Sequence, residues 1–290
     1  MPFPTAKDYH KPGKPEVPNC YGIFYALTSV CYWFVLYFLE TTRNSSGNTP
    51  ASSALALATS VLFGSTMGLF DDVVDLPWRY KAILPVFASL PYMVLRPSDR
   101  TTMSALFLGI VHLGELFFIL IVPTIVTVTT NTYNQLGGLN GLESLSGLTI
   151  LIGFTLASGD LTVLIVPIAC LLVLGYFNFQ GRFFIGNVGS FSIGLTLAVY
   201  AILMNLKLFL LISLTPFLIN SVLILFSNYV LHEKADTLID DHGLLYALKV
   251  RSLRTLILRV RHLSERATVI IICCTVIFST TLALLIQTIR

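Results

Sequence analysis

The stretch ASSALALATSVLFGSTMGLFDDVVDL (Ala51–Leu76) carries twenty apolar or small residues and then three carboxylates, Asp71, Asp72 and Asp75. A second apolar run, Ala82–Leu95, follows at once. A run of about 20 apolar residues is long enough to cross a bilayer. Ionisable groups at its edge are costly there and mark a functional candidate.

The rest of the chain has the same character. Its 290 residues are 55% hydrophobic and 11% charged, against roughly 25% charged in soluble domains. Mean hydropathy is +0.80. No water-soluble core absorbs that much apolar surface, so the expected fold class is an all-α polytopic membrane protein. It forms one domain over residues 1–290. The five cysteines sit in or beside apolar segments, without metal-ligand or disulfide spacing. Residues 1–19 are polar and Pro-rich, with no apolar core of a signal peptide.

Nine apolar segments read as transmembrane helices, at about 21–39, 52–70, 82–95, 105–129, 147–158, 161–177, 190–205, 208–227 and 267–288. If they alternate across the membrane, 13 of the 18 Lys and Arg residues fall on the side that holds residues 1–20, 71–81, 130–146, 178–189 and 228–266. That side is expected to be cytoplasmic. Residues 1–20 form its N-terminal loop, and 228–266 its largest loop. On the opposite side, Asn44-Ser45-Ser46 fits a glycosylation acceptor.

Every polar cluster suited to chemistry lies on the basic side. On a continued helix, Asp75 would share a face with Asp71 and Asp72. Three converging carboxylates repel one another unless a cation sits among them, and oxygen ligands favour Mg²⁺. The bland alternative is a solvated acidic helix end. Arg79 and Lys81 stand nearby, and acids for a metal beside bases for a phosphate suit phosphoryl chemistry.

NTYNQLGGLNGLE (Asn131–Glu143) sets three Asn, three Gly and a carboxylate between two apolar spans, too many amides for a plain turn. NFQGRFFIGNVGSFSIG (Asn178–Gly194) is a Gly-rich helix entry, able to hold an anion or to serve close helix packing. From Leu248 to Leu263, apolar residues interleave with arginines, as in an amphipathic helix on a lipid surface. His112 and Glu115, three apart within the fourth segment, would form either a functional pair or a polar helix contact.

These motifs resemble the polyprenyl-phosphate N-acetylhexosamine-1-phosphate transferases, above all the eukaryotic and archaeal dolichyl-phosphate N-acetylglucosamine-phosphotransferases. KDYHKPGKPEVPNCYG (Lys7–Gly22), FDDVVDLPWRYKAILP (Phe70–Pro85), NTYNQLGGLNGLES (Asn131–Ser144) and FIGNVGSFSIG (Phe184–Gly194) carry the likeness in order. The resemblance implies transfer of GlcNAc-1-phosphate from UDP-GlcNAc to dolichyl or another polyprenyl phosphate with Mg²⁺, releasing UMP at the cytoplasmic face. The membrane would be the endoplasmic reticulum in a eukaryote or the cell membrane in an archaeon. Asp71 and Asp72 would be the catalytic acids, with Asp75 as a helper. Asn134 and Asn187 would be metal ligands. Asn19, Lys81, Asn131, Asn140 and His232 would bind substrate, Lys81 at phosphate and Asn140 near uracil. The partners implied are UDP-GlcNAc, the polyprenyl phosphate, membrane lipid and a second copy in a homodimer, with no nucleic acid.

Three departures stand out. The family carries Asp where this chain has Asn187, which removes a negative charge from a dication site. Its loop histidine is flanked by basic residues, whereas His232 has Leu231 and Glu233 beside it. Family members usually have about ten spans, one of them ahead of the loop with which this chain starts. Two rival readings follow: a non-catalytic member of the same fold, and a transporter using His112 and Glu115.

Overall fold

A computed structural model describes residues 3–43, 51–96, 101–105, 109–232 and 237–289. The Asn44 acceptor, Glu233 and Lys234 lie outside them. The described chain is mainly helical, in the order α1 (Gly22–Arg43), α2 (Ala51–Val74), α3 (Trp78–Ala88), α4 (Leu90–Leu95), a π-helical turn (Phe117–Ile121) running into α5 (Val122–Leu136), α6 (Leu142–Ser158), α7 (Ile165–Phe179), α8 (Gly186–Leu203), α9 (Lys207–Ser213), α10 (Thr215–Tyr229), α11 (Leu253–Val260) and α12 (Glu265–Ile289).

Each of the nine apolar segments contains a helix or a broken helix pair. Among the described residues, five helices are long and apolar enough to cross a membrane, or six if α9 and α10, bent by 59°, count as one span. The expected nine spans are not reached by that measure. Side chains such as Val94, Phe278 and Ile289 stand more than 70% exposed, an apolar exterior that lipid covers and water does not. This is a membrane protein.

α8 is the hub. It is buried almost throughout from Val188 to Leu203 and packs on α1, α2, α5 and α6. Helices in lipid gain little from apolar surface alone, so small residues that let backbones approach decide the packing. A Cβ added at Gly22 would sit 2.1 Å from Gly189 Cα, and one at Gly68 would sit 2.6 Å from the Asn187 carbonyl oxygen. The Tyr25 hydroxyl donates to Thr196 Oγ1 at 3.0 Å, adding a polar tie between α1 and α8.

Three short antiparallel hairpins depart from the all-α expectation: β1 (Thr5–Lys7) with β2 (Glu16–Pro18), β3 (Thr102–Ala105) with β4 (Gly109–His112), and β5 (Leu238–Ile239) with β6 (Leu245–Tyr246). The second hairpin corrects the fourth span, which begins only at the π-helical turn. His112 ends β4 opposite Thr102. Glu115 accepts both guanidinium bonds from Arg96, at 2.8 and 2.6 Å. Gly114, at φ +53°, turns the chain between them, so these two residues share no helix face. The amphipathic helix is also shorter than expected. α11 alone is helical, capped by Ser252, whose hydroxyl accepts from Thr255 N–H. Leu245 pairs with Leu263 across its base.

Candidate active site

Four loops meet beside the N-terminus of α8. They enclose a cleft of about 520 Å³, whose lining includes Lys7, His10, Asn19, Asp72, Asn134, Glu143, Asn187, Ser190 and Arg254. The N-terminal segment forms one wall because the β1–β2 hairpin folds it back. Asn19 N–H donates to the Pro4 carbonyl at 2.7 Å, and the Phe184 N–H donates to Pro18 at 2.8 Å.

Asp72 is the anchor of the cleft. Its carboxylate, at the end of α2, accepts the backbone N–H groups of Asn187 and Val188 at 2.9 and 3.0 Å. These are free amides of the first turn of α8, and an anion at a helix N-terminus is favoured. The Cys20 thiol lies beside the same carboxylate. A Cβ at Gly186, which has φ +69°, would lie 2.5 Å from Asp72 Oδ2. Only glycine lets the backbone meet this carboxylate so closely.

Asp71 turns away from that contact. Its side chain is fully buried and lies 3.0 Å from Lys81 Nζ, and its Oδ1 accepts Leu76 N–H at 3.0 Å. Burial opposes the charge on Lys81, but Asp71 and Asp75 more than offset this and hold the ammonium above its usual range. Asp75 does not join the other two. α2 stops at Val74 ahead of Pro77, Asp75 adopts φ +53°, and its side chain is 98% exposed, 3.4 Å from Lys81. The expected convergence of three acids is therefore corrected: adjacent helical residues point in different directions, and the break removes the third.

Two of the expected residues, Asn134 and Asn187, line the cleft with Asp72 and Asn19. Asn131 sits behind it, donating to the Ala82 carbonyl at 2.9 Å and tying α5 to α3. Asn140 is buried, and its amide nitrogen donates to Asp8 Oδ2 at 2.8 Å and Glu265 Oε1 at 2.9 Å. His232 stands exposed at φ +52° and is not among the lining residues. Lys81 belongs to the Asp71 pair rather than the lining.

Other groups in the cleft were missed as site residues in the sequence. His10 and Arg254 meet at 3.3 Å between Nε2 and Nη1. Burial, reinforced by the Arg254 charge, pushes His10 down to about 4. Glu143 opens α6, and its carboxylate accepts from the Ser190 hydroxyl. The only advance signal for Glu143 was its place as the sole carboxylate in the Asn-rich loop.

Chemically, the cleft combines two carboxylates, neutral amides and two basic side chains. It suits a phosphorylated ligand with an oxygen-bound dication. Residues 54–205 match the family described as Glycosyl transferase family 4. The chain is 32% identical, over 98% of its length and 88% of the relative, to a Sulfolobus acidocaldarius protein provisionally named as a UDP-N-acetylglucosamine–dolichyl-phosphate N-acetylglucosaminephosphotransferase. A Saccharolobus solfataricus protein with the same provisional name is 29% identical over 92% of this chain and 83% of its own. The Dictyostelium discoideum protein of that name is 29% identical over 74% of this chain and 63% of its own.

Proposed function

The chain belongs to glycosyl transferase family 4, and from that premise we propose that it moves GlcNAc-1-phosphate from UDP-GlcNAc to dolichyl phosphate or a related polyprenyl phosphate, releasing UMP. It is a transferase. The substrates follow from the names of the relatives matched along most of the chain. The observation that carries the reading is the cleft that joins Asp72, Asn134 and Asn187 to Lys7 and Arg254.

The reaction forms a bond from an acceptor phosphate oxygen to the sugar-bearing phosphorus and breaks the diphosphate P–O bond, with UMP leaving. Asp72, fixed by two backbone N–H groups, accepts the proton of the acceptor phosphate and orients it for attack. Lys7 and Arg254 offset the charge of the diphosphate. Buried Asp71, paired with Lys81, holds the end of α2 so that Asp72 faces the cleft. The work is mostly positioning and charge neutralisation.

The residues fit a magnesium ion. The cleft offers carboxylate and carboxamide oxygens, the hard donors that this ion prefers. Asn134 and Asn187 would hold it, and when bound it neutralises diphosphate charge and polarises the phosphoryl oxygens. The excess of Lys and Arg in the loops on this side supports a cytoplasmic site, at the endoplasmic reticulum in a eukaryotic cell or the cell membrane in an archaeal one.

The test is release of UMP from UDP-GlcNAc by the purified chain, with Mg²⁺ and dolichyl phosphate in detergent or lipid. UMP and a lipid-linked sugar diphosphate are expected in equal amounts. No UMP with any polyprenyl phosphate would overturn the reading.

A further inference from the structure

Asn187 can offer a dication only a neutral carboxamide oxygen, and the same cleft holds the carboxylate of Glu143. Glu143, on the first turn of α6, lines the cleft together with Asn134, Asn187 and Asp72. We propose that Glu143 is a direct oxygen ligand of the divalent cation in this chain, and that it supplies the anionic charge that Asn187 does not. This rests on the transfer reading above, since the cation is the one that reaction requires.

Three features fix the Glu143 carboxylate. The Ser190 hydroxyl, one turn into α8 from Asn187, donates to Oε1. The backbone N–H of Gly138 is near enough to favour its charged form. Gly137 covers it, for a Cβ there would sit 2.4 Å from both Cδ and Oε1. The carboxylate thus fills the space that a side chain at 137 would take. That loop turns directly out of α5, the helix that carries Asn134, whose carbonyl accepts Gly137 N–H at 3.2 Å.

The electrostatics point the same way. Asp72 and Glu143 line the same cleft, and the Ser190 hydroxyl that holds Glu143 carries no positive charge. Neighbouring carboxylates of this kind are mutually unfavourable unless a cation lies between them. Both use part of their lone-pair capacity in the protein, and a carboxylate has about four acceptor sites, so each retains an oxygen direction for a metal.

The experiment is divalent-cation binding to the full-length chain, read by Mn²⁺ electron paramagnetic resonance and by the Mg²⁺-dependent rise in melting temperature. UMP release is followed in parallel. In Glu143→Gln, Mn²⁺ affinity should fall on the order of tenfold or more, since charged ligand count tunes affinity. In Glu143→Gln/Asn187→Asp, affinity should return most of the way, because the charge is restored on the other side of the same ion. That recovery separates a ligand from a residue that merely supports the loop, and it also covers the case in which the single variant folds poorly. Wild-type Mn²⁺ affinity in folded Glu143→Gln overturns the role of Glu143, as does a double variant no better than the single. Wild-type chain that binds Mn²⁺ yet releases no UMP overturns the transfer reading alone.

Discussion

The Lys81 ammonium lies 3.0 Å from the buried carboxylate of Asp71, across the break that separates α2 from α3. Removing one partner of a pair like this leaves a charge stranded away from water. Lys81 retains 25% exposure, which softens the loss. Lys81→Met should therefore destabilise the protein by about 2–3 kcal/mol, measured by denaturant unfolding in detergent. Asp71→Asn/Lys81→Met should recover most of that. A single variant within about 0.5 kcal/mol of wild type would show the pair to be ornamental.

Asp72 has a different role from its neighbour. In Asp72→Asn the amide keeps the shape, but one of its two polar atoms can no longer accept a backbone N–H, and the charge is gone. UMP release should drop by roughly 100-fold or more, in line with loss of a principal catalytic group. Binding of UDP-GlcNAc, followed by the ligand-dependent melting shift, should persist. Full turnover in this variant would contradict the role assigned to Asp72.

The meeting of α1 and α8 leaves no room for even one methyl group. Gly22→Ala would bring Cβ within 2.1 Å of backbone at Gly189, and backbone cannot rotate aside as a side chain can. The expected cost is about 1–3 kcal/mol from overpacking, seen as a lower melting temperature. It should come with reduced turnover, because Asn187 and Asp72 lie at the same end of α8. Unchanged stability would mean that the two helices slide apart freely.

The depressed His10 titration gives a pH dependence of defined sign. The folded value of about 4 lies below the ordinary 6.5, so the unfolded chain takes up the proton first as pH falls. His10 contributes its full stability above pH 6.5, and this is lost progressively between about 6.5 and 4. Arg254 favours the neutral ring and Asp8 opposes it. Wild type should lose on the order of 2 kcal/mol more than His10→Gln over that interval, by denaturant unfolding at stepped pH. Parallel stability curves would rule out a neutral, buried imidazole.

Much of this architecture was readable from hydropathy, because apolar runs and helices coincide wherever lipid or core surrounds them. The exceptions have physical causes. The run from Ala105 to Thr129 is apolar enough to read as one span, yet Gly109 and Gly114 and the Arg96–Glu115 pair hold its first part as a hairpin and a turn. Window averages do not resolve strands of two to four residues. The acidic stretch announced a site, but not that Asp71, Asp72 and Asp75 face three ways. That depends on where α2 stops and on the α8 amides 115 residues further along. His10 and Arg254 lie 244 positions apart, and no local pattern in either segment points to the other.

The bonds made by Asn140 join two segments that lie far apart in sequence. Its one amide nitrogen holds both Asp8, in the first loop, and Glu265, which begins α12. The hairpin and its bonds to Phe184 shape the first wall of the cleft, and Glu265 adds a second hold from a helix much further along the chain. A chain cut ahead of Glu265 would keep the Asn140–Asp8 bond and lose the half of the clasp that α12 supplies.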